Sequence, residues 1–213
     1  MKPIRILIAD DHEIVREGVR ALIQRQPDWE VCGEAATGRE AVAQTERLKP
    51  DIVVMDIGMP ELNGLDATRQ IKRVAPKTEV LIFTANETEE IVRNVFKAGA
   101  RAYLLKSEAN KHLVPAIEAL CKHRTYFSSK VSELVFAGYL KDDAHVDDLS
   151  LTPRERETVQ LVAEGKSSKE IAAIFGISVK TVETHRAAIM RKLDLGSVAD
   201  LVRYAIREGI IAP

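Results

Sequence analysis

The sequence predicts an α/β fold, a five-stranded doubly wound parallel sheet, followed by a small all-α helix-turn-helix domain. Short apolar runs alternate with helix-length segments over the first part of the chain, which is typical of parallel strands connected by helices. A stretch rich in aspartate then interrupts this alternation, and only helical patterns follow it. We therefore predict an α/β domain at residues 1–122, a linker at 123–148 and a helical domain at 149–213.

The predicted strands are short apolar runs. The first, third and fourth runs carry apolar residues on both sides of the pleat, as central strands covered by helices on both faces do. The second run is more polar and fits an edge strand. A helix near residues 110–122 would close the domain. The five runs are residues 4–9, 29–35, 52–55, 80–83 and 102–105.

The composition limits the classes of protein to which the chain can belong. Its 213 residues are 46% hydrophobic, which is enough for two buried cores. The 31 basic and 32 acidic residues nearly cancel, so net charge neither demands nor excludes a nucleic-acid partner. The early apolar stretch at residues 6–9 is far shorter than a membrane span, so we expect a cytoplasmic protein with no membrane partner. Cys32 and Cys121 lack zinc-site spacing and are expected to be reduced thiols.

Polar residues follow four of the five predicted strands directly. Asp10 and Asp11 follow the first, Asp56 the third, Thr84 the fourth and Lys106 the fifth. These positions converge in a doubly wound sheet, whose ligands bind outside the carboxyl ends of the strands. Three neighbouring carboxylates repel one another unless a cation lies among them, and oxygen ligands of this kind suit Mg²⁺.

The same residue types suit phosphoryl transfer, which depends on positioning and charge neutralisation. Asp56 is the expected nucleophile, because a carboxylate can attack phosphorus to give an acyl phosphate. Lys106 and the metal would neutralise the phosphoryl oxygens, and the Thr84 hydroxyl would hydrogen-bond one of them. Taken singly, Asp11 is equally well explained as a helix N-cap, whereas a lone lysine such as Lys106 is more often a solvated surface residue and a lone threonine such as Thr84 a capping hydroxyl. The joint arrangement favours the phosphoryl-transfer site.

Four motifs resemble those of bacterial response-regulator receivers, over about residues 3–122. That family has a flavodoxin-like fold, in agreement with the predicted sheet. The resemblance implies that a sensor histidine kinase phosphorylates Asp56. The motifs are Ile8-Ala9-Asp10-Asp11-His12, Val54-Met55-Asp56-Ile57-Gly58-Met59-Pro60 with Asn63-Gly64, Thr84-Ala85, and Tyr103-Leu104-Leu105-Lys106.

The resemblance also implies a metal site. Asp11, Asp56 and the carbonyl of Gly58 would hold Mg²⁺, while Asp10 would act mainly through a metal-bound water.

The resemblance further implies a switch and leaves two features open. Thr84 and Tyr103 would form the switch pair, in which Thr84 moves toward the phosphoryl oxygen and the Tyr103 ring turns inward. Many receivers have Pro after the lysine, with a cis bond between them. Here that residue is Ser107, and without proline a cis peptide bond would cost about 3 kcal/mol or more. The sequence therefore leaves open whether the bond between Lys106 and Ser107 is cis or trans. Gly58 and Asn86 occupy positions that tune the lifetime of the phosphoryl group in this family. The small or uncharged residues found there do not predict how long that lifetime is.

The C-terminal segment predicts helices separated by Gly-containing turns. Its second helix should end at Gly176, and the third should span residues 179–193. Helix, turn and helix in this spacing is the helix-turn-helix pattern, which places the third helix in the major groove of DNA. Two capping boxes begin the first two helices, at Thr152-Pro153-Arg154-Glu155 and Ser167-Ser168-Lys169-Glu170.

The third helix has an apolar stripe, formed by Val182, Ile189 and Leu193, and a polar stripe opposite. Residues 180–192 contain four basic side chains and one acidic side chain, an excess that favours contact with phosphate. An ordinary amphipathic helix with a solvated charged face is the alternative, and His185 fits a packed structural role equally well. The candidate DNA contacts are Lys180, Thr181, Glu183, Thr184, His185, Ala187 and Arg191.

The helical segment resembles the LuxR-type four-helix DNA-binding domain, and both halves together resemble the NarL/FixJ class of response regulators. That class implies a homodimer when phosphorylated, bound to double-stranded DNA, with a fourth helix at about residues 197–208 in the dimer contact. The resemblance rests on Leu151-Thr152-Pro153-Arg154-Glu155, Lys169-Glu170-Ile171-Ala172, Lys180-Thr181-Val182-Glu183-Thr184-His185-Arg186 and Ile189-Met190-Arg191-Lys192-Leu193.

Two rival functions follow from the same residues. Mg²⁺-dependent phosphatases with an aspartyl intermediate typically carry a second Asp two residues after the nucleophile, where this chain has Gly58. The other rival is a DNA-binding protein whose receiver is only a dimer module and is never phosphorylated, although the intact acidic pocket argues against it. We therefore predict a phosphorylation-dependent transcription regulator and not an enzyme.

Overall fold

A computed structural model of the chain describes residues 2–85, 89–128, 131–132 and 151–211, without the side chains of residues 89 and 90. The chain divides into two compact units between Asp143 and Ala144, which is inside the predicted linker at 123–148. Asn86 lies outside the described residues. Within the described part of the chain, no helix combines the length and hydrophobicity that crossing a bilayer requires.

The N-terminal unit contains a parallel sheet with strand order β2-β1-β3-β4-β5-β6. The central strands β3 and β4 are buried along their whole length, as expected for strands covered on both faces. The more polar β2 lies at one edge, as predicted. The strands are β1 Ile4–Ala9, β2 Trp29–Ala35, β3 Ile52–Met55, β4 Glu79–Thr84, β5 Ala102–Leu105 and β6 Tyr126–Phe127.

Helices cover both faces of this sheet, in α1 Glu13–Ile23, α2 Gly38–Leu48, α3 Gly64–Val74, α4 Glu89–Ala98 and α5 Ala109–Cys121. One apolar core lies between the sheet and α1 with α5, and includes Val19 and Ile117. The other lies beneath α2, α3 and α4, and includes Ala41, Ile71 and Val95. This architecture confirms the predicted doubly wound fold.

The sheet has one strand more than the five that the sequence predicts. The additional strand, β6, lies in the segment that we predicted as linker and pairs with β5 in parallel. A two-residue strand shows no alternation over enough positions to be recognised, so only its tertiary pairing reveals it. The structure also settles the peptide bond after Lys106, which is trans.

The C-terminal unit consists of α6 Pro153–Ala163, α7 Ser168–Phe175, α8 Val179–Lys192 and α9 Val198–Arg207. Both predicted capping boxes are present, at Thr152 with Glu155 and at Ser167 with Glu170. Gly176 ends α7 in the left-handed conformation, at φ 65°, where a glycine carries no steric penalty. The α7–turn–α8 arrangement is therefore a helix-turn-helix, as predicted.

The core of this unit fixes which face of α8 points outward. Val182 and Ile189 are fully buried against residues of α6, α7 and α9, and Leu193 packs against the same core. These are the three residues of the predicted apolar stripe. The opposite face of α8 is therefore left for solvent or a partner.

Candidate functional site

The ends of β1, β3 and β5 bring an ammonium between two buried carboxylates. Lys106 follows β5 directly, and its Nζ lies 2.7 Å from Asp10 Oδ2 and 3.1 Å from Asp56 Oδ2. Asp10 is 2% exposed and Asp56 is 5% exposed. A lysine aimed at two buried carboxylates is not a solvated surface lysine, so the alternative interpretation of Lys106 is wrong.

Burial and neighbouring charges shift the pKa values of Asp56 and Lys106. Desolvation is the largest effect on Asp56 and raises the pKa of its carboxyl. The attraction of Lys106 lowers this pKa, while repulsion from Asp10 raises it further, and the net result is a raised pKa. Burial alone would lower the pKa of the Lys106 ammonium. Its hydrogen bond to Asp10 and its attraction to Asp56 outweigh burial and raise that pKa instead. The lysine therefore stays charged, while Asp56 is held in a site that disfavours its negative charge.

The acidic pocket also supplies a group of possible metal ligands. Asp10, Asp11, His12 and Asp56 each offer one ligand atom, and these atoms all lie within 4.8 Å of one another. Asp10 and Asp56 are buried and Asp11 is exposed, and a group of carboxylate oxygens of this kind suits Mg²⁺, which retains several waters. The residues present therefore fit such an ion.

His12 is a member of this group that the sequence analysis did not assign. Its Nδ1 lies 2.7 Å from Asp11 Oδ1 and 3.3 Å from Asp10 Oδ1. It stands at the N-cap position of α1 without a side-chain capping bond, and its imidazole points to the carboxylates. The signal in the sequence was its position directly after the two aspartates.

Backbone contacts hold the aspartates in place. Arg16 of α1 donates from Nη1 to the carbonyl oxygen of Asp10 at 2.8 Å and pairs with Glu34 of β2 at 3.3 Å. A Cβ added to Gly64, the first residue of α3, would lie 1.8 Å from the carbonyl oxygen of Asp56. Gly64 therefore allows α3 to begin against the Asp56 backbone. The role of Arg16 was not visible in the sequence, because one arginine on an amphipathic helix carries no distinctive signal.

Thr84 and Gly58 also lie at the carboxyl ends of the strands, whereas Tyr103 lies within β5. Thr84 is the last residue of β4, is buried, and pairs in register with Leu105, which precedes Lys106. A Cβ built on Gly58 would lie 3.7 Å from Asp56 Oδ2, so Gly58 borders the carboxylate. Tyr103 of β5 is fully buried in the core beneath α4. The proposed roles of these residues in metal binding and switching stay predictions.

The outward face of α8 carries six of the seven predicted DNA-contacting residues in exposed positions. His185 is half-buried, which fits the packed role that was left open for it. Thr184 Oγ1 donates to the carbonyl oxygen of Lys180 at 3.0 Å. The six exposed residues are Lys180, Thr181, Glu183, Thr184, Ala187 and Arg191.

Two of the basic residues counted on this helix have structural partners. Lys192 Nζ lies 2.8 Å from Glu155 Oε2 at the start of α6, and Arg186 Nη1 donates to the hydroxyl of Ser168 at 2.9 Å. The positive charge on the exposed stripe therefore comes from Lys180 and Arg191. This charge is smaller than the four basic residues counted in the sequence suggested.

Comparison with known families agrees with both units. Residues 6–118 match the response regulator receiver domain, and residues 149–205 match the luxR family of bacterial regulatory proteins. The chain is 38% identical to the oxygen regulatory protein NreC of Staphylococcus haemolyticus, over 98% of this chain and 99% of the relative. It is also 38% identical to the transcriptional regulatory protein LiaR of Bacillus subtilis, with the same coverage.

Solved structures are similar over nearly the whole chain. One is the RcsB response regulator of Salmonella typhimurium, with a TM-score of 0.61, 28% identity and coverage of 96% of this chain and 98% of that one. Another is an RcsB–DNA complex, with a TM-score of 0.61, 27% identity and coverage of 97% and 99%. With a receiver domain followed by a LuxR-type DNA-binding domain, the chain belongs to the NarL/LuxR family of two-component response regulators, which are transcription regulators.

Proposed function

We propose that Asp56 accepts a phosphoryl group from a sensor histidine kinase, and that phosphorylation promotes a homodimer that binds specific sites on double-stranded DNA. The observation that carries this proposal is Lys106, held between buried Asp10 and Asp56 at the carboxyl ends of the sheet. A cation placed there stabilises the negative charge that accumulates around a transferred phosphoryl group.

The chemistry follows from the groups in the pocket. An Oδ atom of Asp56 forms the new bond to phosphorus while the bond from phosphorus to the donor's imidazole nitrogen breaks. Lys106 pairs with the phosphoryl oxygens, and the Thr84 hydroxyl donates to one of them. Asp11, Asp56 and the Gly58 carbonyl would hold Mg²⁺, with Asp10 acting through a bound water. When bound, Mg²⁺ neutralises part of the charge of the three carboxylates and the phosphoryl group.

The acyl phosphate is a signal and not an intermediate of turnover. Gly58 stands where an aspartyl phosphatase would carry its second acid/base carboxylate, and it offers no side chain to activate water. We propose that the protein works in the cytoplasm and does not act as an enzyme on a separate substrate.

The exposed stripe of α8 is the proposed DNA-reading surface. Lys180 and Arg191 supply contacts to phosphate or guanine, Glu183 can accept from a cytosine amino group, and Thr184 and Ala187 can contact thymine methyl groups. The solved RcsB–DNA complex, similar over almost the whole chain, supports this use of the C-terminal unit.

Treatment with Mg²⁺ and a small acyl phosphate tests the phosphorylation. We expect the intact mass to increase by one acid-labile phosphate, together with a larger oligomer and higher DNA affinity. Asp56→Asn is the control and should show none of the three changes. A wild-type protein that gains no phosphate would contradict the proposal.

Salt dependence tests the DNA surface. If Arg191 contacts a phosphate, Arg191→Ala should weaken binding at every DNA sequence and flatten the slope of log affinity against log salt by about 1 per bound protomer, because one phosphate contact is lost. Arg47→Ala, which removes the same charge from the exposed surface of α2, is the matched control. If both variants behave alike, Arg191 does not contact phosphate.

A further inference from the structure

We propose that β6 and the residues packed with it form a latch on the receiver, which is tightened when Asp56 is phosphorylated. This inference rests on the proposed phosphorylation. It assigns a function to Tyr126, Phe127 and Val131, which precede the connection to the DNA-binding unit.

The basis of the latch is the shared strand β5. Its C-terminal end is followed at once by Lys106, whose ammonium contacts Asp56 at 3.1 Å. The side of β5 that faces away from β4 pairs with β6, with Ala102 opposite Tyr126 and Tyr103 opposite Phe127. Since β6 lies at the end of the sheet and pairs with β5 alone, the position of β5 determines whether β6 has a partner.

Side chains fasten β6 on both faces of the sheet. Phe127 packs edge-on against Phe96 of α4, with ring centroids 5.0 Å apart and an interplanar angle of 62°. On the other face, the Tyr126 hydroxyl is hydrogen-bonded to Nδ1 of His112 on α5 at 2.6 Å. Beyond the strand, Val131 is fully buried. The segment therefore connects to the two helices that flank β5.

The buried Tyr103 ring and this segment support each other. Tyr103, Val131 and Phe127 belong to one apolar core beneath α4, and register pairing places Phe127 beside Tyr103 on the same face. If Tyr103 left this core, it would leave a void beside Val131 and Phe127, which weakens their packing. If β6 detached, Tyr103 would lose the side chains that cover it.

The latch is also weak enough to open. A strand of two residues at a sheet edge makes few main-chain hydrogen bonds. The Ser128 hydroxyl is buried without a hydrogen-bond partner among the described residues, which opposes docking. Segments with few supporting contacts open locally at a small fraction of the global free energy of unfolding.

Phosphorylation strengthens docking through Lys106. The Asp56 carboxylate carries one negative charge, whereas the acyl phosphate carries closer to two and offers more acceptor oxygens. Lys106 is then held more firmly, and the end of β5 that it follows becomes more ordered. Coupling free energies are reciprocal, so a docked β6 in turn favours the phosphorylated pocket.

Hydrogen exchange of the full chain, followed by mass spectrometry, tests the latch. With Mg²⁺ and a small acyl phosphate, peptides spanning β6 should exchange about 5-fold or more slowly than without phosphodonor, the lower end of typical coupling. Intact mass measured on the same sample reports whether Asp56 is phosphorylated.

Three variants separate the latch from general stability. Phe127→Ala removes the contact with Phe96 and should abolish the slowing in β6 while one phosphate is still gained. Tyr126→Phe keeps the apolar ring, loses only the bond to His112, and should reduce the slowing. Val42→Ala truncates a residue of the same core on α2, near the opposite edge of the sheet, and should leave the slowing intact.

The two proposals fail in different ways. A phosphorylated wild type whose β6 amides exchange at an unchanged or faster rate overturns the latch and leaves the phosphorylation standing. Equal loss of the effect in Phe127→Ala and Val42→Ala also overturns the latch. A wild type that gains no phosphate overturns the proposed function and the latch together.

Discussion

Replacing Lys106 with methionine should strongly destabilise the receiver unit when no metal is present. The ammonium is the cation within 3.1 Å of both Asp10 and Asp56, and its side chain is only 18% exposed. Removing one partner from a buried ion pair costs about 3–5 kcal/mol, because the other charges stay buried without compensation. Since some solvent reaches the lysine, we expect the lower end, about 3 kcal/mol.

Two conditions should restore much of this loss in urea unfolding experiments. Mg²⁺ at about 100 times its dissociation constant should add about 2.7 kcal/mol to the free energy of unfolding, since it replaces the missing cation. Lower pH should help as well. Burial raises the pKa of folded Asp56, so a fall in pH through that value protonates the folded state first and favours it.

Lys72→Met is the matched control for this experiment. Lys72 Nζ lies 3.6 Å from Glu79 Oε2, but His123 at 3.0 Å and Arg101 at 3.6 Å remain as partners of Glu79. We expect a loss of about 1 kcal/mol or less. Mg²⁺ should stabilise this variant only as much as it stabilises the wild type, because its acidic pocket is intact, whereas the same Mg²⁺ concentration should stabilise Lys106→Met more. Lys106 is not the counter-ion of Asp10 and Asp56 if Lys106→Met costs no more than this control, or if Mg²⁺ stabilises both variants equally.

Other substitutions test the packing around the pocket and the start of the helical domain. Gly64→Ala should lower the free energy of unfolding by roughly 1–3 kcal/mol in urea titration, because its Cβ would meet the Asp56 carbonyl. Gly18→Ala, at an open position of α1, should instead stabilise by about 0.5–1 kcal/mol, and the opposite order would contradict the geometry. Burial acts to raise the pKa of Glu155, but the Lys192 ammonium and the capping hydrogen bonds outweigh it and lower that pKa. Lys192→Met should therefore cost about 0.2–1 kcal/mol in thermal melts near pH 7, a difference that disappears as pH falls below 4.5; a constant difference would refute it.

The sequence was sufficient for the order of the first five strands and of the helices of both units. Apolar runs alternating with helical segments determine a parallel sheet, because only that arrangement buries both faces of the central strands. The polar residues after β1, β3 and β5 then meet by topology alone, which is why Asp10, Asp56 and Lys106 were identifiable before any distance was known. Capping boxes at Thr152 and Ser167 similarly mark helix starts through local hydrogen bonds.

Features that depend on long-range contacts were not visible in the sequence. Strand β6 is too short to show a period, and its existence depends on the free edge of β5 and the ring of Phe96. From the sequence, Lys192 was counted among the charges available to DNA. In the fold it pairs with Glu155, because α6 and α8 pack together. Local patterns thus determined the elements and the chemical types at their ends, whereas tertiary packing decided which charges are paired and which part of the presumed linker belongs to the receiver.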